Sequence, residues 1–450
     1  MNNEVNLETY EEKKLRLIAI LQQHSAPEIR LAKNTSNLFR DRKNISGPGL
    51  NVKSFNRVIR IVPEEGFAEV EGMTPYVDLV EECLKYNVMP PVVPQLKSIT
   101  IGGAVTGIGI ESSSFKYGLV HETLQEMDIL LADGSSLTCS PHNEHKRLFF
   151  GFPNSYGTLG YALKLKIRVV PVKPFVHLTH IRHRDAISYF ADLDNHCKQH
   201  IDFIDGTIFG PGEYYLTVGK FTESAPYTSD YTYKNIYYRS IRERESDYLH
   251  VGDYIWRWDT DWFWCSEYFL GQNPIVRRLL GPKRLNSVTY TKLMHLNRKY
   301  NLTHYFNTLL GYHSEAVIQD VEIPLKHCPE YLDFYFNTIK FTPVWVCPIR
   351  PLNKNARFPL YPLDPETLYV NFGFWNVIKS RKQTEPGYYN RMVEKKVRDL
   401  DGMKSLYSDA YYSAEQFWEI YNQEEYFKLK NRYDPRGRFK DLYAKCVQHG

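Results

Sequence analysis

The chain has 450 residues, and its 43% hydrophobic and 24% charged content is that of an ordinary globular protein large enough for two packed domains. A formal net charge of +4 is too small for this length to indicate nucleic-acid binding. Seven scattered cysteines without a Cys-x-x-Cys pair favour a reduced, cytoplasmic protein over a disulfide framework or a zinc site, and no metal site is predicted. Residues 1–16 are too charged for a signal peptide, and no apolar run reaches the roughly 18 residues of a membrane span.

The N-terminal part predicts a helix, a short strand and a polar loop. Residues 7–24 place Leu15, Ile18 and Leu21 on one face of an amphipathic helix. Residues 29–32 predict a strand that leads into a loop of polar residues. The members of this loop that we single out are Lys33, Thr35, Ser36 and Asn37. Its ammonium and hydroxyl groups are donors that suit a diphosphate, although a solvated turn fits these residues as well.

The most distinctive stretch, residues 93–118 (VPQLKSITIGGAVTGIGIESSSFKYG), sets glycines among apolar residues. Its closely spaced glycines are Gly102, Gly103, Gly107 and Gly109. Glycines allow a backbone to approach a ligand closely, and their exposed N–H groups can bind phosphate oxygens. A glycine-rich turn without a ligand fits this stretch equally well. A second loop of small residues, 154–160 (NSYGTLG), precedes an alternating strand at 161–169 and favours the ligand-binding interpretation.

Several regular elements surround the two loops. A strand is predicted at 67–72, and Thr74 opens a helix that runs to about residue 86. Asp133 and Gly134 separate two apolar runs, which predicts a tight hairpin. Prolines at 171 and 174 end a strand and mark a domain change. Further strands are predicted at 203–209, 213–221, 342–348 and 368–374, and a helix at about 414–421.

The order of these motifs resembles the FAD-binding domain of the vanillyl-alcohol-oxidase/p-cresol-methylhydroxylase (PCMH) superfamily, in which two glycine loops embrace the cofactor. The segments TGIGIESSSFKYG, LADGS, GTLG, VIQDVEIP and SLYSDAYYS narrow this resemblance to the Δ24-sterol reductase (seladin/DIMINUTO) family. The segments IRLAKNTSNLFR, YIWRWDTDWFWCS, QNPIVRRL and DGMKSLYSD are similar to bacterial members, including the mycobacterial reductase that forms tuberculostearic acid from a methylene fatty acyl chain. The resemblance covers residues 29–447.

The resemblance implies an α+β fold with two domains. A PCMH-type FAD-binding domain would comprise residues 1–174, and a cap domain with an antiparallel sheet over the substrate would comprise residues 175–399. Residues 400–450 would return to the FAD domain. The cofactor-binding residues carried over from the motifs are Lys33, Thr35, Ser36, Asn37, Gly102, Gly103, Thr106, Gly107, Gly109, Glu111, Ser112, Ser113, Lys116, Gly118, Gly157, Thr158 and Gly160.

The sequence predicts that FAD is bound without a covalent bond. Covalent flavin in this superfamily is commonly attached to a His or Cys beside the cofactor loops, but the polar loop at 33–37 has neither, and position 115 in the glycine-rich stretch 93–118 is Phe115. His121, a few residues further on, fits a structural role better. No Gly-x-Gly-x-x-Gly follows a strand, because Ser112 stands at the last position of the only near match, so no separate NAD(P) domain is predicted. NADPH would then dock transiently as the electron donor, or a partner protein would supply electrons.

Candidate catalytic residues come from three segments. The alternating strand at 317–324 contains Asp320, which matches the sterol-reductase pattern and is the predicted proton donor, with Tyr407 and Asp409 as rivals. An exposed strand face needs no such function. In the aromatic segment around Arg257, that arginine matches the sterol-reductase family, whereas Asp259 and Asp261 depart from it and put a sterol substrate in doubt.

Residues 256–284 predict a peripheral contact with anionic membranes. Tryptophans and apolar residues stand there beside Arg277, Arg278, Lys283 and Arg284, although an ordinary surface helix fits this pattern too.

Taken together, these features predict an FAD-dependent reductase of an isolated C=C bond in a lipid, either a methylene-branched fatty acyl chain or a sterol side chain. Superfamily membership alone leaves open an FAD-dependent oxidase of a small alcohol or sugar acid that uses O2. A lipid-binding protein without flavin is a third, non-enzymatic possibility.

Overall fold

The computed structural model describes residues 8–23, 27–33, 39–40, 49–300, 307, 310–352, 354 and 357–448, with the side chains of residues 298 and 299 excepted. Helices and antiparallel sheets alternate along the chain, which confirms the α+β class. The helices are α1 (Tyr10–Gln23), α2 (Tyr76–Leu84), α3 (Ile101–Gly107), α4 (Ser114–Tyr117), α5 (Lys146–Gly151), α6 (Ala186–Cys197), α7 (Tyr237–Glu243), α8 (Val251–Ile255), α9 (Pro274–Leu280), α10 (Ser287–Tyr300), α11 (Cys328–Thr338), α12 (Tyr388–Asp399), α13 (Ala414–Ile420), α14 (Gln423–Tyr433) and α15 (Leu442–Cys446).

The strands form two main sheets and two short pairs. In chain order they are β1 (Leu31–Ala32), β2 (Leu50–Asn51), β3 (Val58–Val62), β4 (Phe67–Glu71), β5 (Val88–Met89), β6 (Leu124–Leu130), β7 (Ser136–Cys139), β8 (Tyr161–Arg168), β9 (Val170–Pro171), β10 (Phe175–His183), β11 (Phe203–Gly210), β12 (Glu213–Thr222), β13 (Ser246–His250), β14 (His313–Pro324), β15 (Val344–Ile349), β16 (Tyr369–Ser380) and β17 (Met403–Lys404).

The smaller main sheet has the strand order β3-β4-β8-β6-β7 and is antiparallel. The predicted hairpin is confirmed, because β6 pairs with β7 across a turn in which Gly134 has φ +89°. Only a residue without Cβ adopts that conformation without strain. The strand β8 alternates buried and half-buried side chains, as its sequence predicts.

The larger sheet has eight strands in the order β13-β10-β12-β11-β15-β16-β14-β17. The four strands predicted at 203–209, 213–221, 342–348 and 368–374 are confirmed as β11, β12, β15 and β16. The longest pairing joins β14 to β16 over twelve residue pairs, from His313 with Ser380 to Pro324 with Tyr369. Helices α6, α11 and α12 pack on this sheet around a second apolar core.

The C-terminal segment contacts both parts of the molecule. Its strand β17 pairs with β14 of the larger sheet. The Lys430 ammonium donates to the Thr158 carbonyl oxygen at 2.9 Å, and the Ile29 N–H donates to the Arg438 carbonyl oxygen at 2.9 Å. These contacts are compatible with a return to the FAD-binding part, and the domain bounds 1–174, 175–399 and 400–450 stay a prediction.

Helix α1 buries a different face from the predicted one. Leu21 is buried as expected, but Leu15 is 65% exposed, and Lys13 is buried instead. The Lys13 ammonium lies 2.7 Å from a carboxylate oxygen of Glu71 on β4, and this buried ion pair sets the rotation of the helix. A hydrophobic pattern alone therefore assigns the face wrongly here.

The aromatic segment after α8 is part of the core. Trp258, Trp262 and Trp264 are buried, so these indoles are not available to a lipid surface. Arg277 is buried as well, since its guanidinium lies 2.6 Å from the Asp261 carboxylate. The predicted membrane contact is therefore wrong for these four residues. None of the described helices is long and apolar enough to cross a bilayer.

All seven cysteines are buried and free of disulfides. Burial raises the pKa of the Cys83 thiol and of the Cys265 thiol to about 12.

Candidate functional site

A cavity of about 1210 Å³ lies where the glycine-rich loops meet the larger sheet. Pockets for one small molecule commonly measure about 300–1000 Å³, so this cavity has room for more than one ligand. The predicted cofactor residues that line it are Lys33, Gly102, Gly103, Thr106, Gly107, Gly109, Gly157 and Gly160. Both main sheets, with the loops that adjoin them, contribute walls to this cavity.

The first wall, which we call the glycine wall, is formed by Gly72, Gly102, Gly103, Gly107 and Gly160. The glycine-rich stretch at Gly102 forms the short helix α3. The Gly103 N–H donates to the hydroxyl of Thr100, which precedes the helix, at 3.3 Å. A Cβ on Gly102 would lie 2.7 Å from the Gly72 carbonyl oxygen, so only glycine lets α3 approach β4 this closely.

The same wall requires glycine at its other end. Gly160 has φ +145°, and a Cβ there would lie 2.9 Å from the Leu130 carbonyl oxygen. Gly107 differs, because a Cβ on it would make an ordinary 3.5 Å contact with the Tyr156 ring. Its position on the cavity wall means that a larger side chain there would reduce the space for a ligand.

Basic side chains outnumber acidic ones on the described cavity lining, which favours an anionic ligand, although Glu28 also lines the cavity and lies 3.8 Å from the Lys440 ammonium. The cations on its lining are Arg30, Lys33, Arg40, Lys379, Lys440 and Lys445. The Arg40 guanidinium also stacks over the Tyr156 ring at 4.6 Å. Glycine backbone, cations and apolar surface together fit a cofactor with a diphosphate and a flat ring system.

The second wall, which we call the cap wall, consists of Asp320, Trp345, Trp375 and Tyr407. Asp320 lies on β14 directly opposite Gly373 of β16. A Cβ on Gly373 would lie 2.6 Å from the Asp320 carboxylate and 2.8 Å from the Trp375 ring, so this glycine makes room for both side chains.

The Asp320 carboxyl group is held by neighbours from β16 and from the segment that follows β17. The Asn371 side-chain amide donates to it at 2.9 Å, and Tyr407 also hydrogen-bonds to it. The Trp375 indole N–H in turn donates to the Tyr407 hydroxyl at 2.8 Å. Burial raises the pKa of Asp320 to about 7, against the smaller opposing effect of these hydrogen bonds. The cavity therefore contains a carboxyl group that can hold a proton near neutral pH.

A family model described as an FAD binding domain matches residues 9–140. The Delta(24)-sterol reductase of Rattus norvegicus is 30% identical over 378 residues, covering 80% of this chain and 70% of that protein. The Homo sapiens Delta(24)-sterol reductase is 30% identical over 379 residues with the same coverage, and that of Arabidopsis thaliana is 24% identical over 437 residues, covering 88% and 76%. This chain belongs to the Δ24-sterol reductase family. It is therefore an FAD-dependent oxidoreductase of the type that acts on CH–CH groups.

In this member of the Δ24-sterol reductase family, Arg257 does not line the described cavity. Its guanidinium is buried and lies 2.7 Å from Asp205 on β11 and 3.2 Å from Glu111, which follows α3. The Trp345 indole N–H also donates to Asp205, at 3.3 Å. The arginine thus links the segment that follows α3 to β11 and, through Asp205, to Trp345 of the cap wall.

The remaining cofactor-site predictions fall into two groups. Thr35, Ser36 and Asn37 lie outside the described residues. The predicted residues that do not line the cavity are Glu111, Ser112, Ser113, Lys116, Gly118 and Thr158. All of these except Gly118 have other side-chain partners; the Ser113 hydroxyl, for example, donates to the Pro91 carbonyl oxygen at 2.6 Å, and the Lys116 ammonium lies 2.9 Å from Asp202. We therefore assign none of these six residues a contact with the cofactor.

Two further acidic residues also lie away from the cavity lining: Glu322, which is close to Asp320 in sequence, and Asp409, which was predicted as an alternative proton donor. Glu322 is fully buried and accepts a hydrogen bond from the Tyr361 hydroxyl, and burial raises its pKa well above the usual range. Asp409 accepts a hydrogen bond from the Lys404 ammonium through its main-chain carbonyl oxygen, at 2.8 Å. His121 is buried against Phe358, and burial lowers its pKa to about 3.

The sequence did not show which of its many aromatic residues line the cavity. Trp262 and Phe263 have φ +46° and +60°, a conformation that costs non-glycine residues energy. This turn brings the Phe263 ring to 4.5 Å from the Trp375 ring, centroid to centroid. The density of aromatic residues was visible in the sequence, but no local pattern distinguishes those that face a cavity from those that fill a core.

Proposed function

We propose that this protein reduces an isolated C=C bond of a lipid, with NADPH as the transient electron donor. The names of the relatives support a sterol side chain as one substrate. A methylene-branched fatty acyl chain is the second candidate, because it has the same alkene chemistry. The observation that carries the proposal is Asp320, a carboxyl group on the cavity wall whose pKa is raised to about 7.

The glycine wall and the basic side chains are the parts that we assign to the cofactor. The backbone near Gly102, Gly103 and Gly107 and the ammonium groups of Lys33 and Lys440 would hold the diphosphate. When bound and reduced, FAD supplies the hydride. We expect the cofactor to be released by acid, since no His or Cys of the two glycine loops is available for a covalent bond.

The substrate class determines what the cap wall must do. An isolated alkene has no carbonyl group to withdraw charge, so a proton must arrive as the hydride is accepted. In both candidate lipids, protonation of the less substituted carbon leaves positive charge on the more substituted one. Asp320 is the proposed proton donor, because burial keeps its carboxyl group protonated up to a pH of about 7. Tyr407, hydrogen-bonded to Asp320, is the second candidate.

The aromatic residues of the cavity have a complementary role in this proposal. Phe263, Trp345 and Trp375 line the cavity together with Asp320, and the first two are buried while Trp375 is half-buried. A ring face attracts positive charge by about 1–2 kcal/mol in a dry site. These rings would therefore stabilise the cationic character that develops on the substrate.

A reaction in deuterated water tests which carbon receives the proton. The hydrogen on N5 of reduced FAD exchanges with solvent, so the experiment uses the protein reconstituted with reduced 5-deaza-FAD, whose transferred hydrogen is bound to carbon and does not exchange. Solvent-derived deuterium should then appear only on the less substituted carbon of the reduced lipid, as measured by NMR of the product. Deuterium on the more substituted carbon would refute the mechanism, whichever residue is the acid.

The electron donor and the setting are tested separately. NADPH should reduce the bound flavin anaerobically, as measured by loss of its visible absorbance, whereas failure of NADPH with success of dithionite would point to a partner protein. The seven free cysteines support the predicted reducing, cytoplasmic setting. Rapid reoxidation of the reduced protein by air, with peroxide formed, would favour an oxidase instead.

A further inference from the structure

The segment from residue 268 to residue 300 has an unusual charge distribution. It contains seven lysines and arginines but no aspartate or glutamate. One of these cations, Arg277, is buried against Asp261, so it anchors the segment and adds no positive charge to its surface. The exposed cations with described side chains are Arg278, Lys283, Arg284 and Lys292.

The same segment exposes an unusual amount of apolar surface. Of the sixteen large apolar side chains that are exposed in the described part of the molecule, seven lie in these 33 residues. Six of the seven are Tyr268, Leu270, Ile275, Leu279, Leu293 and Leu296. We call these six residues and the four exposed cations the basic rim. Concentrated exposed apolar surface of this kind commonly marks an interaction site.

The basic rim is continuous with the cavity. Tyr268, Leu293 and Leu296 are exposed and also line the cavity, so the cavity opens at this surface. The Phe269 ring stacks on the Tyr290 ring at 5.6 Å, which ties the Tyr268 region to helix α10. The opening is therefore bordered by the side chains that a lipid would have to pass.

We propose that the basic rim docks on an anionic lipid bilayer and that the lipid substrate passes from the bilayer directly into the cavity. This inference rests on the proposed function, because it takes the substrate to be a lipid. Apolar side chains beside cations, with no acidic residue among them, match the chemistry of an anionic membrane surface. A second copy of this chain is disfavoured as the partner, because two like-charged rims repel each other.

Flotation with lipid vesicles tests the docking. The FAD-containing protein should float with vesicles that contain phosphatidylglycerol and should bind at least about 10-fold more weakly when salt shortens the Debye length from about 10 to about 3 Å. The double variant Ile275→Ser/Leu279→Ser, away from the cavity lining, should lose flotation. The triple variant Arg278→Ser/Lys283→Ser/Arg284→Ser should lose the preference for anionic vesicles.

Matched controls come from other exposed surfaces. Ile187→Ser removes an equally exposed apolar side chain from helix α6, and Lys53→Ser/Lys146→Ser/Lys220→Ser removes three exposed cations outside the rim. Both controls should float like the unchanged protein. The docking proposal fails if the unchanged protein does not float, if the rim variants float as well as the controls, or if the Ile275→Ser/Leu279→Ser variant instead dissolves an oligomer seen by light scattering.

A second measurement tests the entry route. With the alkene lipid presented in anionic vesicles, the Ile275→Ser/Leu279→Ser variant should turn over at least about 10-fold more slowly than the Ile187→Ser control. With the same lipid carried by cyclodextrin, the two should react alike. Equal rates from vesicles would overturn direct entry. Loss of turnover in the unchanged protein with every lipid would refute the proposed function, while the flotation result would still decide the docking.

Discussion

The glycine wall brings backbone to the cavity, whereas the cap wall brings side chains. At Gly102 and Gly160 the absence of a side chain permits close contact with Gly72 and Leu130 carbonyl oxygens. On the cap wall, Asp320 is placed by Asn371 and by partners that lie far away in the sequence. The difference indicates how a fold can keep one cofactor while its substrates change, because the cap side chains can be replaced without disturbing the backbone at the cofactor.

Removing the buried ion pairs that Arg257 makes with Asp205 and Glu111 should have the largest effect, which is on stability. Arg257→Met would leave Asp205 and Glu111 buried without their cation, which typically costs about 3–5 kcal/mol of unfolding free energy. Arg60→Met is the control, because its pair with Glu69 is exposed and worth about 0–1 kcal/mol. Urea unfolding measures both. Unchanged stability with strongly reduced turnover would show instead that Arg257 acts in catalysis.

A change confined to the cap wall should separate chemistry from cofactor binding. Asp320→Asn should retain FAD and a reducible flavin but should slow alkene reduction by roughly 100-fold or more, because the amide has no proton to donate at neutral pH. Asp333→Asn, on an exposed face of helix α11, is the matched control. Stopped-flow oxidation of the reduced protein by the lipid gives the rate. A rate near that of the control would move the proton donor to Tyr407.

A change confined to the glycine wall should weaken FAD binding rather than slow the chemical step. Gly107→Val fills cavity space while its Cβ makes only an ordinary contact with Tyr156, so the chain should fold as before. Overpacking costs about 1–3 kcal/mol, which corresponds to roughly 5- to 150-fold weaker FAD binding. Equilibrium dialysis measures the affinity for FAD. The control is Gly210→Val, because a Cβ on Gly210 would meet no atom within 4 Å. Equal affinities would remove Gly107 from the cofactor site.

Gly373→Ala tests how strictly alkene reduction depends on the positions of the cap-wall side chains. The added methyl group would displace the Asp320 carboxyl group and the Trp375 ring, and displacements of this kind should cost about 10-fold in alkene reduction. FAD affinity should not change. Gly210→Ala in the same sheet provides the comparison. If turnover is unaffected, alkene reduction does not depend on the observed position of the Asp320 carboxyl group.

The smallest effect expected is on the pH profile. The pKa of Asp320 is raised to about 7 in the folded protein, so its proton is present below that pH and is lost above it. The rate of alkene reduction should therefore fall by half at a pH of about 7 and continue to fall at higher pH. Asp320→Asn should lack this limb of the profile. A profile that is flat from pH 6 to 8 in the unchanged protein would exclude Asp320 as the acid.

The two walls also differ in what the sequence revealed. The glycine wall was largely predictable, because close approach of backbone requires glycine and leaves a local pattern around Gly102 and Gly160. Asp320 was singled out only through a family resemblance. Its partner Asn371 is 51 residues away and meets it only after β14 pairs with β16, so no local pattern reports the contact.

Other differences from the predictions have similar causes. The buried face of helix α1 was misassigned because Lys13, a residue usually exposed, pairs with Glu71 in the core. Arg257 was expected at the site of catalysis, but its two acidic partners come from separate segments that the sequence does not bring together. Ion pairs between distant segments are a consequence of tertiary packing, and sequence periodicity does not register them.

The buried cysteines make the protein suited to site-selective labelling. With their thiols inside the fold, and with the pKa of Cys83 raised to about 12, the native cysteines should react slowly with maleimide reagents at neutral pH. A single cysteine placed on the surface, as in Leu279→Cys, should therefore carry a fluorophore alone. Cys265 lines the cavity, but burial raises the pKa of its thiol to about 12, so it should stay unlabelled as well.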